Sequence, residues 1–105
     1  MNAMAQAVED KVREALKQVV DPELNLNIVD LGLIYSIRDE NGRVFVKMTF
    51  TSPACPVGPM ILSNVKTKSG EVEGVKSVQV DLTFTPPWSP QLASEEIKAM
   101  FAEYM

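Results

Sequence analysis

The chain has 105 residues, of which 46% are hydrophobic and 23% charged, so it holds enough apolar material for one globular domain over residues 1–105. Its net charge of −4 argues against nucleic acid or an anionic membrane as the partner, because both require basic patches. A single cysteine excludes an internal disulfide, and no apolar run is long enough to span a membrane. The N-terminus lacks a signal-peptide pattern, so we expect a cytoplasmic protein.

The first half of the chain is typical of a helix followed by a β-hairpin. Apolar residues at helical spacing predict a helix from about Ala5 to Val20, which Pro22 ends. The alternation of side chains between two faces from Leu33 to Arg38 predicts a strand, and Asn41-Gly42 predicts a tight hairpin turn. Thr49, in the return strand, is expected on the outer face. The other face of that strand is consistently apolar and should receive the helices: Val44, Val46, Met48 and Phe50.

The second half predicts a helix, a strand and a last helix. The second helix has Pro59 in its first turn and ends near Gly74, which we expect as its C-cap. Ser94 is the predicted N-cap of the third helix. The third strand should direct four alternating apolar residues inward: Val78, Val80, Leu82 and Phe84.

The order α-β-β-α-β-α predicts an α+β fold. We expect a two-layer α/β sandwich in which helices cover one face of a small, three-stranded mixed sheet. A helix between the second and third strands indicates that these two strands are parallel. We expect the first strand to lie between them.

The most informative stretch runs from Thr49 to Met60 and holds Cys55 among three prolines and a glycine. A strand, a rigid loop and a helix in this order place Cys55 near a helix N-terminus. The positive end of the helix dipole lowers the pKa of such a thiol and favours the thiolate, which attacks electrophiles and binds metals. The alternative is a buried, inert cysteine. Histidine is absent, so the commonest general base and metal ligand is missing.

Two other loops are candidates for the same site. The segment from Asp21 to Gly32 presents Asp21 and Glu23 either as a turn residue and a solvated charge or as carboxylates beside another site. Asp30 is interpreted as a turn residue that binds the backbone. The segment from Thr85 to Pro90 contains Trp88, which is either a local packing lid or a binding platform. Because parallel strands end at the same edge of a sheet, we expect Cys55 and Trp88 to be neighbours there.

Three blocks of the sequence together resemble the SufT/PaaD-type iron–sulfur cluster assembly family, whose module also precedes the nucleoside-triphosphatase domain of many Mrp-type cluster carriers. The blocks are Asp21-Pro22-Glu23-Leu24 with Ile28 to Tyr35, Thr51 with Ala54-Cys55-Pro56, and Thr83 to Pro90. The resemblance implies a compact α/β domain that helps to mature iron–sulfur proteins. It implies a central thiol at Cys55, with Asp21, Glu23 and Thr51 lining the same patch. The cysteine-rich tail of the phenylacetyl-CoA oxygenase relatives and the ATPase domain of the carriers are not in this sequence.

Three functions remain open. The first is a non-enzymatic accessory factor that carries iron or a transient cluster between the assembly machinery and client apoproteins. Because clusters are normally held by several thiolates, Cys55 would share its cargo with a second chain in a homodimer, with glutathione or with a partner. The second is a thiol-dependent enzyme, a peroxide reductase or an acyl transferase that uses Cys55. The third is a pure interaction module that recruits clients through the Pro-Pro-Trp loop and an acidic surface. The partner surface is predicted at Pro56, Pro86, Pro87 and Trp88.

Overall fold

A computed structural model describes residues 3–51 and 56–104 of the chain. It contains three α-helices: α1 (Ala3–Leu16), α2 (Gly58–Gly70) and α3 (Glu95–Tyr104). The described strands are β1 (Val20–Asp21), β2 (Leu26–Asn27), β3 (Ile34–Glu40), β4 (Arg43–Met48) and β5 (Ser77–Leu82). A short 3₁₀ helix, Pro90–Leu92, precedes α3. None of the helices in the described ranges has the length and apolar character needed to cross a membrane.

The main sheet has the strand order β3-β4-β5. Strands β3 and β4 are antiparallel, and β4 and β5 are parallel with Met48 opposite Leu82. The expected mixed sheet is therefore confirmed, but the predicted strand order is wrong. The first strand of the hairpin, β3, lies at an edge, because the chain returns from α2 directly to the free side of β4.

The hairpin between β3 and β4 has the predicted tight turn. Asn41 and Gly42 both have positive φ, 54° and 92°, as a two-residue hairpin turn of the favoured hand requires. The Gly42 carbonyl also accepts hydrogen bonds from the backbone N–H groups of Lys76 at 2.7 Å and Ser77 at 3.2 Å. The turn is thus joined to the start of β5 as well as to its own strands.

The core lies on one face of the sheet, where α1 and α2 cover it. Fully buried side chains come from both helices, from β4 and from the segment before β3: Val12, Leu16, Ile61, Val65, Val44, Val46, Met48, Ile28, Leu31 and Leu33. This arrangement confirms the two-layer α+β fold. These side chains form one continuous apolar cluster. Its removal from water is the main contribution to the stability of a domain of this size.

Burial departs from the predicted alternation at the ends of β4 and β5. Thr49 was expected on the outer face but is fully buried, because it lies beyond the last residue of β4 and donates its backbone N–H to the Leu33 carbonyl. Leu82 and Phe84 were expected inward but are 42% and 37% exposed. They lie at the end of an edge strand, where the helix layer no longer covers the sheet.

Two predicted helix ends are also wrong. Helix α1 stops at Leu16, well before Pro22, and a turn in which Val19 N–H donates to the Leu16 carbonyl follows it. Helix α2 stops at Gly70. Gly74 has a φ of 93° in the turn before β5, so its positive φ serves that turn and not a helix cap.

The segment from Asp21 to Gly32 is ordered by a small hairpin and by the main sheet. Strands β1 and β2 pair with Val20 opposite Asn27. A row of three backbone hydrogen bonds then joins this hairpin to β4: Ile28 N–H to the Val19 carbonyl at 3.0 Å, Leu33 N–H to the Ile28 carbonyl at 3.0 Å, and Thr49 N–H to the Leu33 carbonyl at 2.9 Å.

Trp88 and Ser94 connect helix α3 to the segment from Asp21 to Gly32. The Trp88 Nε1–H donates to the Leu31 carbonyl at 2.6 Å, and the ring meets Phe101 edge to face at 6.5 Å. Ser94 Oγ accepts the Ile97 N–H at 3.4 Å, which confirms the predicted N-cap. The Ser94 N–H itself donates to the Asp30 carbonyl at 2.7 Å.

The substitution Gly32→Ala should strongly destabilise the fold. Gly32 has a φ of 82°, and a β-carbon there would collide with the backbone carbonyl of Leu92. We expect the free energy of unfolding in urea to fall by about 3 kcal/mol. Gly70→Ala is the control, because nothing lies within 4 Å of the added atom, and we expect a change below about 1 kcal/mol. Equal unfolding midpoints for the two variants would contradict this account of Gly32.

The substitution Trp88→Phe should cost about 1–2 kcal/mol, because an aromatic ring remains but the Leu31 carbonyl loses its donor in a half-buried site. Tyr35→Phe is the matched control. It removes the hydroxyl that donates to the Pro86 carbonyl at 2.8 Å, but at an exposed position where water replaces the donor. Thermal unfolding of both variants measures the difference, and a larger loss for Tyr35→Phe would contradict the anchoring role of Trp88.

Candidate functional site

The candidate site is the edge of the sheet where β4 and β5 end. Met48 and Leu82 are paired at the ends of these parallel strands, and the Thr83 N–H donates to the Met48 carbonyl at 2.9 Å. The chain leaves this edge twice, after Thr51 on the way to α2 and through residues 83–90 toward α3. This confirms that both proline-containing loops emerge at the same edge of the sheet.

Cys55, the residue on which the sequence analysis centres, lies outside the described residues, together with 52–54. Its accessibility and its predicted contact with Trp88 therefore stay predictions. The residues on either side are described. Thr51 is half-buried and Pro56 is exposed. Pro56 directly precedes Val57, the N-cap residue of α2.

The start of α2 is not capped by a side chain of the described residues. Pro59 lies in the first turn, as predicted, and has no N–H to satisfy. The first helical hydrogen bond runs from the Ile61 N–H to the Val57 carbonyl at 3.1 Å. The earlier N–H groups of a helix have no partner within it and carry its positive dipole end. A helix start of this kind favours an anion close to its free N–H groups.

Gly58 holds α2 close to the end of β4. A β-carbon at this position would lie 2.6 Å from the Phe50 ring, whose own edge-to-face partner is Phe84 at 6.3 Å. The three residues bring together the end of β4, the start of α2 and the segment after β5. This packing could not be recognised in the sequence, because a glycine before a proline is equally typical of an ordinary loop.

Asp21 and Glu23 have different surroundings. The Asp21 side chain is 1% exposed, and its Oδ1 accepts the Glu23 N–H at 2.9 Å. The Glu23 side chain is exposed. This contact favours the turn interpretation of Asp21. The backbone hydrogen bonds from Val19 through Ile28 and Leu33 to Thr49 connect this turn with the strand that leads to Thr51.

Asp30 holds a turn, although not in the predicted way. Its carboxylate accepts a hydrogen bond from the Asn27 side-chain amide at 2.7 Å, and its N–H donates to Asn27 Oδ1 at 2.9 Å. The carboxylate thus binds a side chain instead of the backbone. The exchange of two hydrogen bonds is a structural role and leaves Asp30 out of the candidate site.

The surface around this edge is apolar and open. Pro86 and Pro87 are exposed, whereas Trp88 is half-buried between Leu31 and Phe101. Three large apolar side chains from the adjoining segments are also exposed, Met60 at 48%, Leu82 at 42% and Phe84 at 37%. Contiguous exposed apolar area is typical of protein-binding surfaces, and these segments are where it would lie.

The donor set limits what the site can hold. Within residues 3–51 and 56–104 there is no group of three or more His, Cys, Asp or Glu side chains that could bind a metal ion. The whole sequence has one cysteine and no histidine. Firm binding of a cluster needs several thiolates, so donors from a second molecule would be required.

Comparison with known proteins identifies the family. The family model described as iron–sulfur cluster assembly protein matches residues 9–101. An Fe-S protein maturation auxiliary factor of Porphyromonas gingivalis is 46% identical over 90% of both chains. The auxiliary factor SufT of Staphylococcus aureus is 41% identical over 76% of this chain and 92% of its own. A Bacillus anthracis domain of unknown function, solved by crystallography, is 38% identical over 96% of this chain and 98% of its own, with a TM-score of 0.89. The chain therefore belongs to the iron–sulfur cluster assembly protein family.

Proposed function

We propose that this protein is a non-enzymatic accessory factor that helps to assemble iron–sulfur clusters or to deliver them to client apoproteins, with the Cys55 thiolate as its reactive group. Family membership supports the general role. Relatives of nearly the same length are named auxiliary factors of Fe-S protein maturation, which supports an accessory role and not a catalytic one. We propose that this protein acts in the cytoplasm.

One observation carries the proposal for Cys55. Two parallel strands end side by side, and α2 starts at that edge with Val57 as an N-cap that offers no side-chain hydrogen bond. Cys55 precedes Val57 by two positions in the sequence. The unpaired N–H groups of a helix start favour a thiolate over a thiol, and the thiolate is the form that binds iron.

Iron or a small cluster is the cargo of this site. A single thiolate per chain gives an incomplete ligand set, so the cargo is shared with a second copy of the chain, glutathione or a partner protein. Incomplete ligation suits delivery better than storage, because a cargo held by few bonds passes more easily to a client that supplies several thiolates.

The three polar residues support the site in different ways. Thr51 is half-buried four positions before Cys55, so its hydroxyl is available as a donor or an oxygen ligand. Glu23 is exposed and adds a negative charge that attracts iron cations. Asp21 fixes the turn that carries Glu23 and adds its negative charge from a buried position.

Client proteins dock on the surface around the site. Pro56, Pro86 and Pro87 are exposed and rigid, and they order little further on binding. The exposed side chains of Met60, Leu82 and Phe84 add apolar area beside them. Trp88 contributes mainly by holding this loop through its hydrogen bond to Leu31.

Anaerobic reconstitution with ferrous iron, sulfide and glutathione tests the role of Cys55. We expect the wild-type protein to gain bound iron and visible cluster absorbance, and Cys55→Ser to lose both, because a hydroxyl is a poor cluster ligand. Ser63→Ala, an exposed change on α2, is the control and should bind iron as the wild type does. Equal iron uptake by wild type and Cys55→Ser would overturn the proposal. If the variant also still captured clients, the protein would be a pure interaction module.

The substitution Asp21→Asn separates the two roles of that residue. Asparagine keeps an oxygen for the Glu23 N–H but removes the charge, so we expect cluster transfer to an apo-ferredoxin to fall several-fold while the free energy of unfolding changes by less than about 1 kcal/mol. Asp21→Ala also leaves the Glu23 N–H without its acceptor and should cost about 1–2 kcal/mol. Asp81→Asn, an exposed change on β5, is the control. If Asp21→Asn transferred clusters as well as the wild type does, the role of Asp21 would be limited to the structure of its turn.

A further inference from the structure

A shallow groove of about 510 Å³ lies beside the start of β3 and the segment after β5. Two cations line it, Arg13 from α1 and Lys47 from β4. Its other walls include Val29, Tyr35, Pro86 and Leu92. The groove therefore combines apolar walls with positive charge, and it adjoins one of the exposed prolines of the candidate site.

The charge of the groove is opposite to that of the protein. The chain has 14 acidic and 10 basic residues, yet no acidic residue is among those that line the groove. Salt bridges in the described part of the chain involve Lys17, Arg38, Lys68 and Lys98, each with an acidic residue two or three positions away. Neither Arg13 nor Lys47 takes part in them.

Two carboxylates near these cations in the fold accept hydrogen bonds from other groups. Glu9 lies one helical turn before Arg13, and its carboxylate accepts the Asp39 N–H at 2.9 Å. Asp81 lies opposite Lys47 across β4 and β5, and its carboxylate accepts a hydrogen bond from the Gln79 side chain at 3.2 Å. Neither cation forms a salt bridge among the described residues, so both can pair with the carboxylates of a ligand.

The shape of the groove favours a polypeptide over an enclosed small molecule. Arg13, Lys47, Pro86 and Leu92 are exposed, so the groove would cover only one side of its occupant, whereas small-molecule sites usually enclose most of their ligand. Tyr35 is held in place, because its hydroxyl donates to the Pro86 carbonyl at 2.8 Å. A preformed open groove loses little freedom when an extended segment binds.

We propose that this groove binds an extended segment of a partner protein in which carboxylates alternate with apolar side chains. The carboxylates pair with Arg13 and Lys47, and the apolar side chains pack on Val29 and Leu92. The contact is independent of iron and of Cys55. It holds the partner next to Pro86, at the edge of the sheet where β4 and β5 end.

Fluorescence anisotropy with short labelled peptides tests the proposal on the metal-free protein. The first peptide alternates Asp with Leu, and the second alternates Lys with Leu. We expect the wild-type protein to bind the acidic peptide, more weakly as salt increases, and to bind the basic peptide at least tenfold less well. The double variant Arg13→Glu/Lys47→Glu should reverse this preference. Amide shifts in NMR spectra should map the acidic peptide to Val29, Tyr35 and Leu92.

The matched control is Lys11→Glu/Lys66→Glu, which changes the net charge by the same amount at exposed positions outside the groove. It should bind the acidic peptide as the wild type does, and so should Cys55→Ser. If both double variants lost the same affinity for the acidic peptide, net charge alone would explain the binding and the proposal would be overturned. Binding of neither peptide, or of both equally, would also overturn it. Iron uptake is not measured here, so these outcomes leave the proposed delivery function untouched.

Discussion

Three backbone hydrogen bonds in a row hold together the end of the molecule that carries the candidate site. They join Val19 to Ile28, Ile28 to Leu33 and Leu33 to Thr49. The row connects the end of α1, the β1–β2 hairpin, the entry to β3 and the exit from β4, which are distant in the sequence. Ile28 and Leu33 are also fully buried, so backbone pairing and apolar burial act on the same residues. The positions of the Asp21–Gly32 segment and of the exit from β4 depend on that combination.

Local sequence patterns predicted most of the fold, because they report on interactions between near neighbours. The Asn41-Gly42 turn needs positive φ at two positions, and Ser94 satisfies a free N–H at a helix start, so both features could be recognised without tertiary information. The strand order could not be recognised, since nothing local says whether β5 pairs with β3 or with β4. The helix ends failed for a related reason. Pro22 and Gly74 are compatible with helix ends but serve other turns.

The candidate site was predicted unevenly. The common edge for the two proline-containing loops follows from parallel strands, and it is confirmed by the pairing of Met48 with Leu82. Contacts between residues far apart in the sequence could not be predicted from local patterns. Trp88 donates to Leu31 across 57 positions, and Phe50 fills the space that Gly58 leaves open. Asp21 was ambiguous because a carboxylate that caps its own turn and one that serves a ligand have the same sequence signature.

The Gly42 carbonyl accepts two backbone hydrogen bonds, and this has a practical consequence for labelling the protein. Hairpin tips are commonly chosen for inserted epitopes or fluorophores, because loop tips usually tolerate extra residues. Here the tip also receives the N–H groups of Lys76 and Ser77, and thereby sets the register with which β5 joins β4. An insertion between Asn41 and Gly42 would shift a central strand pairing and not merely lengthen a turn. A reporter attached to the exposed side chain of Glu73, which lies outside any helix or strand, leaves this pairing intact.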